Sequence, residues 1–243
     1  MKTSFAINCY NEVEEMKQLI PLLLDNKQVQ DEIVVLYDSK NGSQELLDYL
    51  ISIEDQIVLN TIRFDRKDFS HLKNTLNRDC IGDYIFNIDA DEIPSCNLIK
   101  FLHKILNNNP ECESFWVPRI NTVKGITLDL IQIWRWQIGY HKEITECRYV
   151  DDEELKVLIK HKLIIKKFEN KVYEFYSPLI NPFEPQLRIY KNLPKIKWKG
   201  KVHEKLRGYR SQMYLPKEPK YSLYHHKHID KQIKQNELYE TIT

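Results

Sequence analysis

Residues 83–92 read DYIFNIDADE, an apolar run that leads into two carboxylates, Asp89 and Asp91, one residue apart. The apolar residues predict a buried strand over 84–88, with the carboxylates at its carboxyl end. Hard oxygen ligands of this kind suit Mg²⁺ or Mn²⁺, ions that commonly bridge a protein to substrate phosphates. An isolated acidic pair also occurs in solvated turns, so the rest of the chain must discriminate between these two interpretations.

Strand and helix patterns alternate through the first half of the chain. Apolar runs predict strands over 4–8, 32–37, 56–62 and 84–88, and helical spacing predicts helices over 11–24, 43–51 and 69–80. This alternation predicts an α/β fold, a Rossmann-like αβα sandwich with a mostly parallel sheet. Ligands of such sheets bind beyond the carboxyl ends of the strands. The loops that follow the four strands are therefore expected to converge on one functional edge.

The second half of the chain is less regular. A strand is predicted over 114–118, a solvated helix start at the acidic run 151–154, an extended loop over the proline-containing segment 173–185, and a terminal helix over 231–239. Three tryptophans have two interpretations, since they either stack on an acceptor or pack in the core: Trp116, Trp134 and Trp136.

Composition excludes several classes of protein. The chain has 243 residues, 42% hydrophobic and 29% charged, which predicts one principal domain. Its 36 basic and 35 acidic residues give a net charge of +1, so overall charge does not indicate nucleic acid or an anionic membrane as a partner, although local patches are compatible with one. The five cysteines form no C-x-x-C pair, which argues against a disulfide framework or a zinc site.

The same features predict where the protein acts. Cysteine usage of this kind fits the cytosol. The first residues form no signal-peptide apolar region, and no run reaches the ~18 apolar residues of a membrane span. We therefore expect a soluble, unprocessed, cytoplasmic protein without a transmembrane segment.

Polar residues in the first two loops have both a structural and a functional interpretation. Asn11 is placed to cap the following helix and Glu12 to favour its N-terminal dipole, or both contact a ligand. Asp38 lies in a turn that leads into a helix, and it is also placed to accept hydrogen bonds from a nucleobase or ribose. Neither G-x-G-x-x-G nor a Walker sequence occurs, which weakens the dinucleotide-oxidoreductase and phosphoryl-transferase readings.

The chain resembles the family 2 glycosyltransferases of the GT-A fold, and in particular their small bacterial β-glucosyltransferase-like branch. The resemblance covers most of the chain except about residues 125–180. It rests on motifs in matching order: Asn11-Glu12, Asp38-Ser39, Lys73-Asn74, residues 89–92, residues 185–190, residues 200–204 and residues 225–227.

The resemblance implies transfer of a sugar from a nucleotide-sugar donor, with a UDP-sugar and specifically UDP-glucose favoured, to an acceptor hydroxyl. It leaves the acceptor open among a glycan, a lipid-linked saccharide, a peptide and a modified nucleobase. It also implies that residues 1–121 form a nucleotide-sugar-binding half, and that residues 122–243 form an acceptor-side half and C-terminal extension of the same domain. Oligomeric state is not indicated.

Roles at the donor side follow from the same resemblance. Asp91 chiefly, and Asp89 secondarily, would hold Mn²⁺ or Mg²⁺ on the diphosphate. A metal ion there would stabilise the charge that grows on the departing nucleotide diphosphate. The remaining donor contacts are expected from Asn11, Glu12, Asp38 and Lys73, for which helix capping or a surface position is the alternative.

An inverting reaction needs a base on the acceptor hydroxyl, which the family supplies from an acidic residue four positions before an arginine. Glu184 stands four residues before Arg188, and Glu204 is the reserve candidate. By motif position, His225 is the expected histidine ligand of the metal. His203 is the second candidate, with donor phosphate as its alternative contact. A packed or exposed position is the structural alternative for both histidines.

Two other functions remain open at this stage. A nucleotidyltransferase also uses an αβα sheet with paired carboxylates, but it normally has a glycine-rich basic loop after its first strand, where this chain has Cys9-Tyr10-Asn11-Glu12. A catalytically inactive module that binds a sugar nucleotide or a glycan would keep the fold, and turnover discriminates it from an enzyme.

Overall fold

The structure, a computed structural model, describes residues 1–242, apart from the side chains of residue 235 and residues 238–242. The strands are β1 (Thr3–Cys9), β2 (Glu32–Asp38), β3 (Val58–Ile62), β4 (Tyr84–Asp89), β5 (Ile93–Pro94), β6 (Ser114–Lys124), β7 (Ile138–Gly139), β8 (Thr145–Tyr149), β9 (Ile164–Lys167), β10 (Val172–Tyr176), β11 (Leu179–Lys191), β12 (Lys197–Lys199), β13 (Lys205–Arg207), β14 (Gln212–Tyr214) and β15 (Leu223–His228). The α-helices are α1 (Val13–Asn26), α2 (Gln44–Ser52), α3 (Phe69–Arg78), α4 (Cys96–Asn107), α5 (Leu128–Ile133), α6 (Asp152–Lys160) and α7 (Ile229–Ile242).

The chain divides into two compact units that are interleaved in sequence. Unit 1 comprises residues 1–118, 185–223 and the chain end from residue 239, and unit 2 comprises residues 119–184 and 224–238. The division falls within β6, β11 and β15. The halves predicted from sequence, 1–121 and 122–243, stay a prediction.

Unit 1 contains the predicted αβα arrangement. Its strands are ordered β3-β2-β1-β4-β11, and the β1–β2, β1–β4 and β2–β3 pairs are parallel, whereas β11 runs antiparallel to β4. The alternation of strand and helix and the mostly parallel sheet predicted from sequence are therefore confirmed. The central strands β1 and β4 are buried on both faces, which is why their sequences are continuous apolar runs rather than alternating ones.

Helices cover both faces of this sheet. On one face α1 contributes Met16, Leu19, Ile20 and Leu23, the face predicted from its spacing, and α4 contributes Leu98 and Leu102. On the other face α3 contributes Leu72 and Leu76. Helices α2, α3 and α4 each start at a side-chain cap, because the side chains of Ser43, Asp68 and Ser95 each accept a backbone N–H three residues further on.

The carboxyl ends of β1, β2, β3 and β4 lie at one edge of the sheet. Asn8 pairs with Asp89, and Asp38 pairs with Ile62, so these strands end in register. Loop contacts join them further, since the Ser43 N–H donates to the Tyr10 carbonyl (2.8 Å) and the Ser39 N–H donates to the Ile62 carbonyl (2.8 Å). The predicted convergence of the loops is confirmed.

The expected cap at the first helix is wrong. α1 begins at Val13 rather than at Asn11, and its N-cap residue, Glu12, makes no side-chain capping bond. The Glu12 carboxylate turns back instead and accepts the backbone N–H groups of Tyr10 (2.9 Å) and Asn11 (3.1 Å). Asn11 is exposed and occupies the turn before the helix.

The loop predicted over 173–185 is also wrong, because β10 and β11 occupy most of it. β7 pairs with residues 179–180 of β11, and β4 pairs with residues 189–191. Proline removes only one backbone donor, so a strand accepts Pro182 and Pro185 where that donor is not part of the ladder. The prolines therefore misled the sequence-based prediction.

Unit 2 contains a three-stranded antiparallel sheet in the order β8-β10-β9, with α6 packed on it. Its core includes Val150, Leu158, Leu163 and Phe175. The acidic run forms the predicted helix start, and the Asp151 side chain caps α6 by accepting the Glu154 N–H at 2.8 Å. The predicted terminal helix is confirmed as α7.

Among residues 1–242, no helix combines the length and the apolar character needed to cross a membrane.

Candidate functional site

Two cations face Asp89 at the end of β4. The Lys73 Nζ lies 3.5 Å from one carboxylate oxygen of Asp89, and an Arg188 Nη contacts the other oxygen. The side chain of Asp89 is 37% exposed, whereas those of Lys73 and Arg188 are 10% and 4% exposed. The carboxylate therefore lies at the boundary between buried protein cations and solvent.

Arg188 connects this boundary to the core of unit 1. The same nitrogen donates to Glu92 at 2.6 Å, and Glu92 is fully buried. Burial alone would lower the pKa of Arg188, but the charges of Asp89 and Glu92 outweigh it, so that its pKa is raised. A buried carboxylate without its cation is costly, so the pair holds the end of β4 in one arrangement.

Lys73 sits within a second set of contacts in unit 1. Its Nζ lies 2.8 Å from a Glu204 oxygen and 4.5 Å from the centre of the Trp198 ring. Asn74 holds the Trp198 backbone through both its amide nitrogen (2.8 Å to the carbonyl) and its amide oxygen (3.0 Å from the N–H). Trp198 in turn donates to the Tyr190 hydroxyl at 3.0 Å. Lys73 is thus a positioned, desolvated cation at the functional edge.

Asp38 organises the second loop. One oxygen accepts the backbone N–H groups of Lys40 (3.0 Å) and Phe64 (3.2 Å), and the other accepts the Asn41 amide at 2.6 Å. Asp38 and Glu12 are both buried, at 5% and 7% exposure. Their hydrogen bonds hold the backbones of the two loops in place. Their expected contacts with the ribose and base stay predictions.

The structure brings most of the predicted donor-side residues to one edge of unit 1. Asp91 is half-buried two residues beyond Asp89, and Glu204 reaches the same network through Lys73. His203 is exposed and has a positive φ of 54° next to Glu204. The loop that carries both residues contacts the start of α3, where the Phe69 N–H donates to the Lys201 carbonyl at 2.9 Å.

The carboxylates at this edge suit a divalent cation that also binds a diphosphate. Asp89, Glu92 and Glu204 share the two cations Lys73 and Arg188, and Asp91 lies two residues beyond Asp89. Among the described residues, no three His, Cys, Asp or Glu side chains are grouped so as to hold a metal by themselves. Mg²⁺ is commonly held by one or two carboxylates plus substrate phosphates, and Asp91 meets that requirement.

Another group of polar residues lies within unit 2 around Glu184. Arg119 donates to a Glu184 oxygen at 2.7 Å, and the Asn121 amide donates to the same oxygen at 3.3 Å. The Asn121 amide oxygen lies 2.9 Å from Nδ1 of His225, which is 7% exposed. The predicted base and the predicted histidine ligand are therefore joined through one asparagine. Neither predicted role is tested by these contacts.

The backbone beside Glu184 is strained. Asn181 and Phe183 have positive φ angles of 46° and 55°, which residues other than glycine rarely adopt. The segment is held by β7 and by the Asn181 N–H, which donates to the Gln137 carbonyl at 2.8 Å. Such strain persists where the surrounding structure holds the backbone in place, and strained residues are often found at functional sites.

Cys9 lies at the same edge as Asp38 but is not a nucleophile there. Burial first, and then the charges of Glu12 and Asp38, raise the pKa of its thiol far above the ordinary value. Only a thiolate attacks or binds a metal, so Cys9 contributes packing.

We expect an aromatic disulfide reagent to modify two thiols quickly in the native protein, those of Cys96 and Cys147, because these are exposed whereas Cys9, Cys80 and Cys112 are buried. Absorbance of the released thiolate counts the fast-reacting groups. A double variant, Cys96→Ser with Cys147→Ser, should lose the fast phase. A fast phase that persists in this variant would contradict the assignment.

Several residues of these networks were missed by sequence reasoning. Glu92 and Arg188 appeared only as members of motifs, and Arg119 and Asn121 were not singled out. A charged residue inside an apolar strand, such as Arg188 between Leu187 and Ile189, is the only sequence feature that pointed to a buried pair.

Comparison with known families gives a match over the first two thirds of the chain. The family described as glycosyl transferase family 2 matches residues 4–166, which is more than half of the chain. No curated protein sequence matches the chain.

Solved structures of TarS from S. aureus resemble this chain. The structure of TarS residues 1–349 is 10% identical, covers 93% of this chain and 60% of that chain, and has a TM-score of 0.52. The same fragment in complex with UDP is 15% identical over 52% of this chain and 36% of that chain, with a TM-score of 0.41. The complex with UDP-GlcNAc is also 15% identical, over 52% and 35%, with a TM-score of 0.41.

The chain thus spans between 35% and 60% of the length of these TarS chains. At such low identity the likeness is one of fold. Together with the family match, it confirms the GT-A fold that the sequence resemblance implied.

Proposed function

The chain belongs to glycosyl transferase family 2, a family of glycosyltransferases, and from this premise we propose that it moves a sugar from a UDP-sugar to an acceptor hydroxyl with inversion at the anomeric carbon. The observation that carries the proposal is the network of Asp89, Lys73 and Arg188 at the carboxyl end of β4. It places two buried cations against a partly exposed carboxylate at the edge where parallel sheets bind ligands.

We assign the nucleoside to the loops after β1 and β2. Asn11 is exposed on the first of these loops, and the loops are joined by the hydrogen bond from the Ser43 N–H to the Tyr10 carbonyl. Glu12 and Asp38 hold the loop backbones, and we expect them to contact the ribose and base. UDP-glucose is the favoured donor, on the basis of the sequence resemblance alone.

We assign the diphosphate to the end of β4. Asp91 would hold Mn²⁺ or Mg²⁺, with Asp89 as the secondary ligand. The expected histidine ligand, His225, belongs to unit 2, where its ring lies 2.9 Å from the Asn121 amide oxygen, and its role as a ligand stays a prediction. A bound metal ion supplies Lewis-acid stabilisation of the charge that develops on the leaving diphosphate. Because both oxygens of Asp89 already face Lys73 and Arg188, its principal task is to orient those cations. Lys73, which Glu204 and Trp198 hold in place, supplies a positive charge toward the donor.

Glu184 is our candidate for the base that accepts the proton of the acceptor hydroxyl. Arg119 and Asn121 hold one of its oxygens, and 38% of its side chain remains exposed, so its other oxygen can meet an acceptor. Both carboxylates are paired with a cation, but Glu204 is the less suitable base because only 15% of its side chain is exposed, against 38% for Glu184. His203, exposed beside Glu204, is assigned to the donor phosphate.

A panel of nucleotide sugars tests the proposal. The purified protein is incubated, with and without Mn²⁺, with UDP-glucose, UDP-GlcNAc, a GDP-sugar, a CMP-sugar, a dTDP-sugar or a nucleoside triphosphate. The thermal shift and the release of nucleotide by donor hydrolysis are measured for each one. We expect a metal-dependent shift and slow hydrolysis with a UDP-sugar. If no nucleotide sugar produces either response, the proposal fails, and a response confined to nucleoside triphosphates would indicate a nucleotidyltransferase.

Matched substitutions separate the two candidate bases. Glu184→Gln should lower hydrolysis about 100-fold or more, because one positioned base commonly contributes 10²–10⁴. It should leave the donor-induced thermal shift unchanged. Glu204→Gln should instead weaken the thermal shift, because it releases Lys73 from its partner. The opposite pattern would exchange the two roles.

A further inference from the structure

One segment of unit 2 carries much of the positive charge of the chain. Residues 155–171 contain six lysines and one glutamate, a net charge of +5 in a chain whose total is +1. The segment runs from the last turns of α6 through β9 to the turn before β10. The net charge of the whole chain therefore conceals a strongly basic surface.

Most of these lysines are not neutralised. Lys156 and Lys171 form exposed ion pairs with Glu153 (2.5 Å) and Asp152 (2.8 Å). Within the part of the chain that the structure describes, the others take part in no ion pair: Lys160, Lys162, Lys166 and Lys167. All four are exposed.

Large apolar side chains are exposed among these lysines. Ile159 is 60% exposed, Ile165 43% and Phe168 39%. The Lys166 Nζ lies 4.8 Å from the centre of the Phe168 ring. Residues 159–168, which read IKHKLIIKKF, thus form a surface of interleaved cations and apolar groups, called the 159–168 surface below.

An open cavity adjoins this surface. Its volume is about 720 Å³, and Lys167, Lys171, Phe168 and Tyr173 are among the residues that line it. Glu169 also lines the cavity and Lys171 is paired with Asp152, so Lys167 is the lining lysine that an anionic headgroup would meet.

The turn at the cavity is an unusual place for a lysine. Asn170 and Lys171 have positive φ angles of 55° and 58°, and the Val172 N–H closes the turn on the Glu169 carbonyl at 3.1 Å. Hairpin turns of this geometry favour glycine at the second of these positions. A cation is present there despite the disfavoured backbone.

Protection of a sheet edge explains only part of the pattern. β9 is an edge strand of its sheet, and lysines on edge strands prevent pairing with other chains. Exposed Ile165 and Phe168 have the opposite effect, because they favour association. Lysines and apolar residues together are the composition of a surface that lies on an anionic bilayer.

We propose that the 159–168 surface docks onto the anionic face of a lipid bilayer. The four unpaired lysines contact acidic headgroups, one of which enters the cavity beside Lys167, and Ile159, Ile165 and Phe168 enter the boundary of the acyl region. Nucleic acid is the less suitable polyanion, because the segment contains no arginine, and Phe168 is the one ring among its exposed large apolar side chains, whereas Ile159 and Ile165 offer no ring on which bases stack.

Cosedimentation with vesicles tests this inference. The full chain is mixed with vesicles of phosphatidylcholine alone and of phosphatidylcholine with phosphatidylglycerol. We expect binding to the second kind only, and weaker binding as salt is added. The variant with Lys160, Lys162, Lys166 and Lys167 changed to Gln should bind the anionic vesicles at least about 100-fold more weakly, because each lysine near such a surface contributes to binding. Ile165→Ser with Phe168→Ser should bind about tenfold more weakly.

The matched control removes four exposed lysines elsewhere, Lys100, Lys104, Lys124 and Lys217, each changed to Gln. It should bind like the parent chain, and circular dichroism establishes that every variant is folded. Equal binding to both kinds of vesicle, no binding, an equal loss in the control, or tighter binding to an oligonucleotide than to vesicles would each overturn the inference. The donor-induced thermal shift should be the same in all variants, so this test is independent of the proposed function.

Discussion

Arg188→Met is expected to lower the free energy of unfolding by about 3–5 kcal/mol, the usual cost of breaking a buried ion pair. The substitution leaves Glu92 fully buried without the guanidinium that donates to it at 2.6 Å. It also removes one of the two cations that face Asp89. The loss is measured as a lower midpoint of urea unfolding at an unchanged slope.

The control for Arg188 is a cation in an exposed pair. Lys195→Met removes the partner of Glu113 at 2.6 Å, on a side chain that is 39% exposed, and should cost no more than about 1 kcal/mol. A double variant, Arg188→Met with Glu92→Leu, should recover part of the lost stability because no buried charge is left unpaired. Equal losses for Arg188→Met and Lys195→Met would contradict the role given to the buried pair.

Asp91→Ala is expected to lower metal-dependent hydrolysis of the UDP-sugar about 1,000-fold, which corresponds to about 4 kcal/mol of transition-state stabilisation. Asp91 is half-buried two residues beyond Asp89, whose two oxygens face Lys73 and Arg188, and we propose it as the metal ligand at the end of β4. Loss of the Mn²⁺-dependent thermal shift with UDP should accompany the loss of activity.

A matched control for Asp91 lies at the other end of the same strand. Asp83 precedes β4, is exposed and accepts the Lys2 N–H at 2.7 Å. Asp83→Ala should leave both the hydrolysis rate and the thermal shift close to those of the parent chain. If Asp91→Ala keeps the Mn²⁺ response, the metal assignment is wrong even though the family assignment stands.

Much of the donor-side half was predictable from sequence. The buried strand over 84–88, the amphipathic faces of the first helices and the convergence of loops at one edge follow from hydrophobic periodicity and from the handedness of parallel connections. These are local properties, because each short segment carries its own pattern. The predicted and observed ends of the helices differ by one or two residues. α1, for example, begins at Val13 rather than at Asn11, and the Glu12 side chain accepts a backbone N–H of its own loop.

The partners of the charged residues were decided by tertiary structure alone. Glu92 and Arg188 are 96 residues apart in sequence, and Lys73 and Glu204 meet only because α3 lies beside the loop that follows β12. No local pattern encodes such pairs, since the energy of a buried charge depends on what surrounds it after folding. The sequence by itself thus determined the order of strands and helices and the residue types at their ends. Folding determined which carboxylates are neutralised by protein cations, because that depends on distances between segments far apart in the chain.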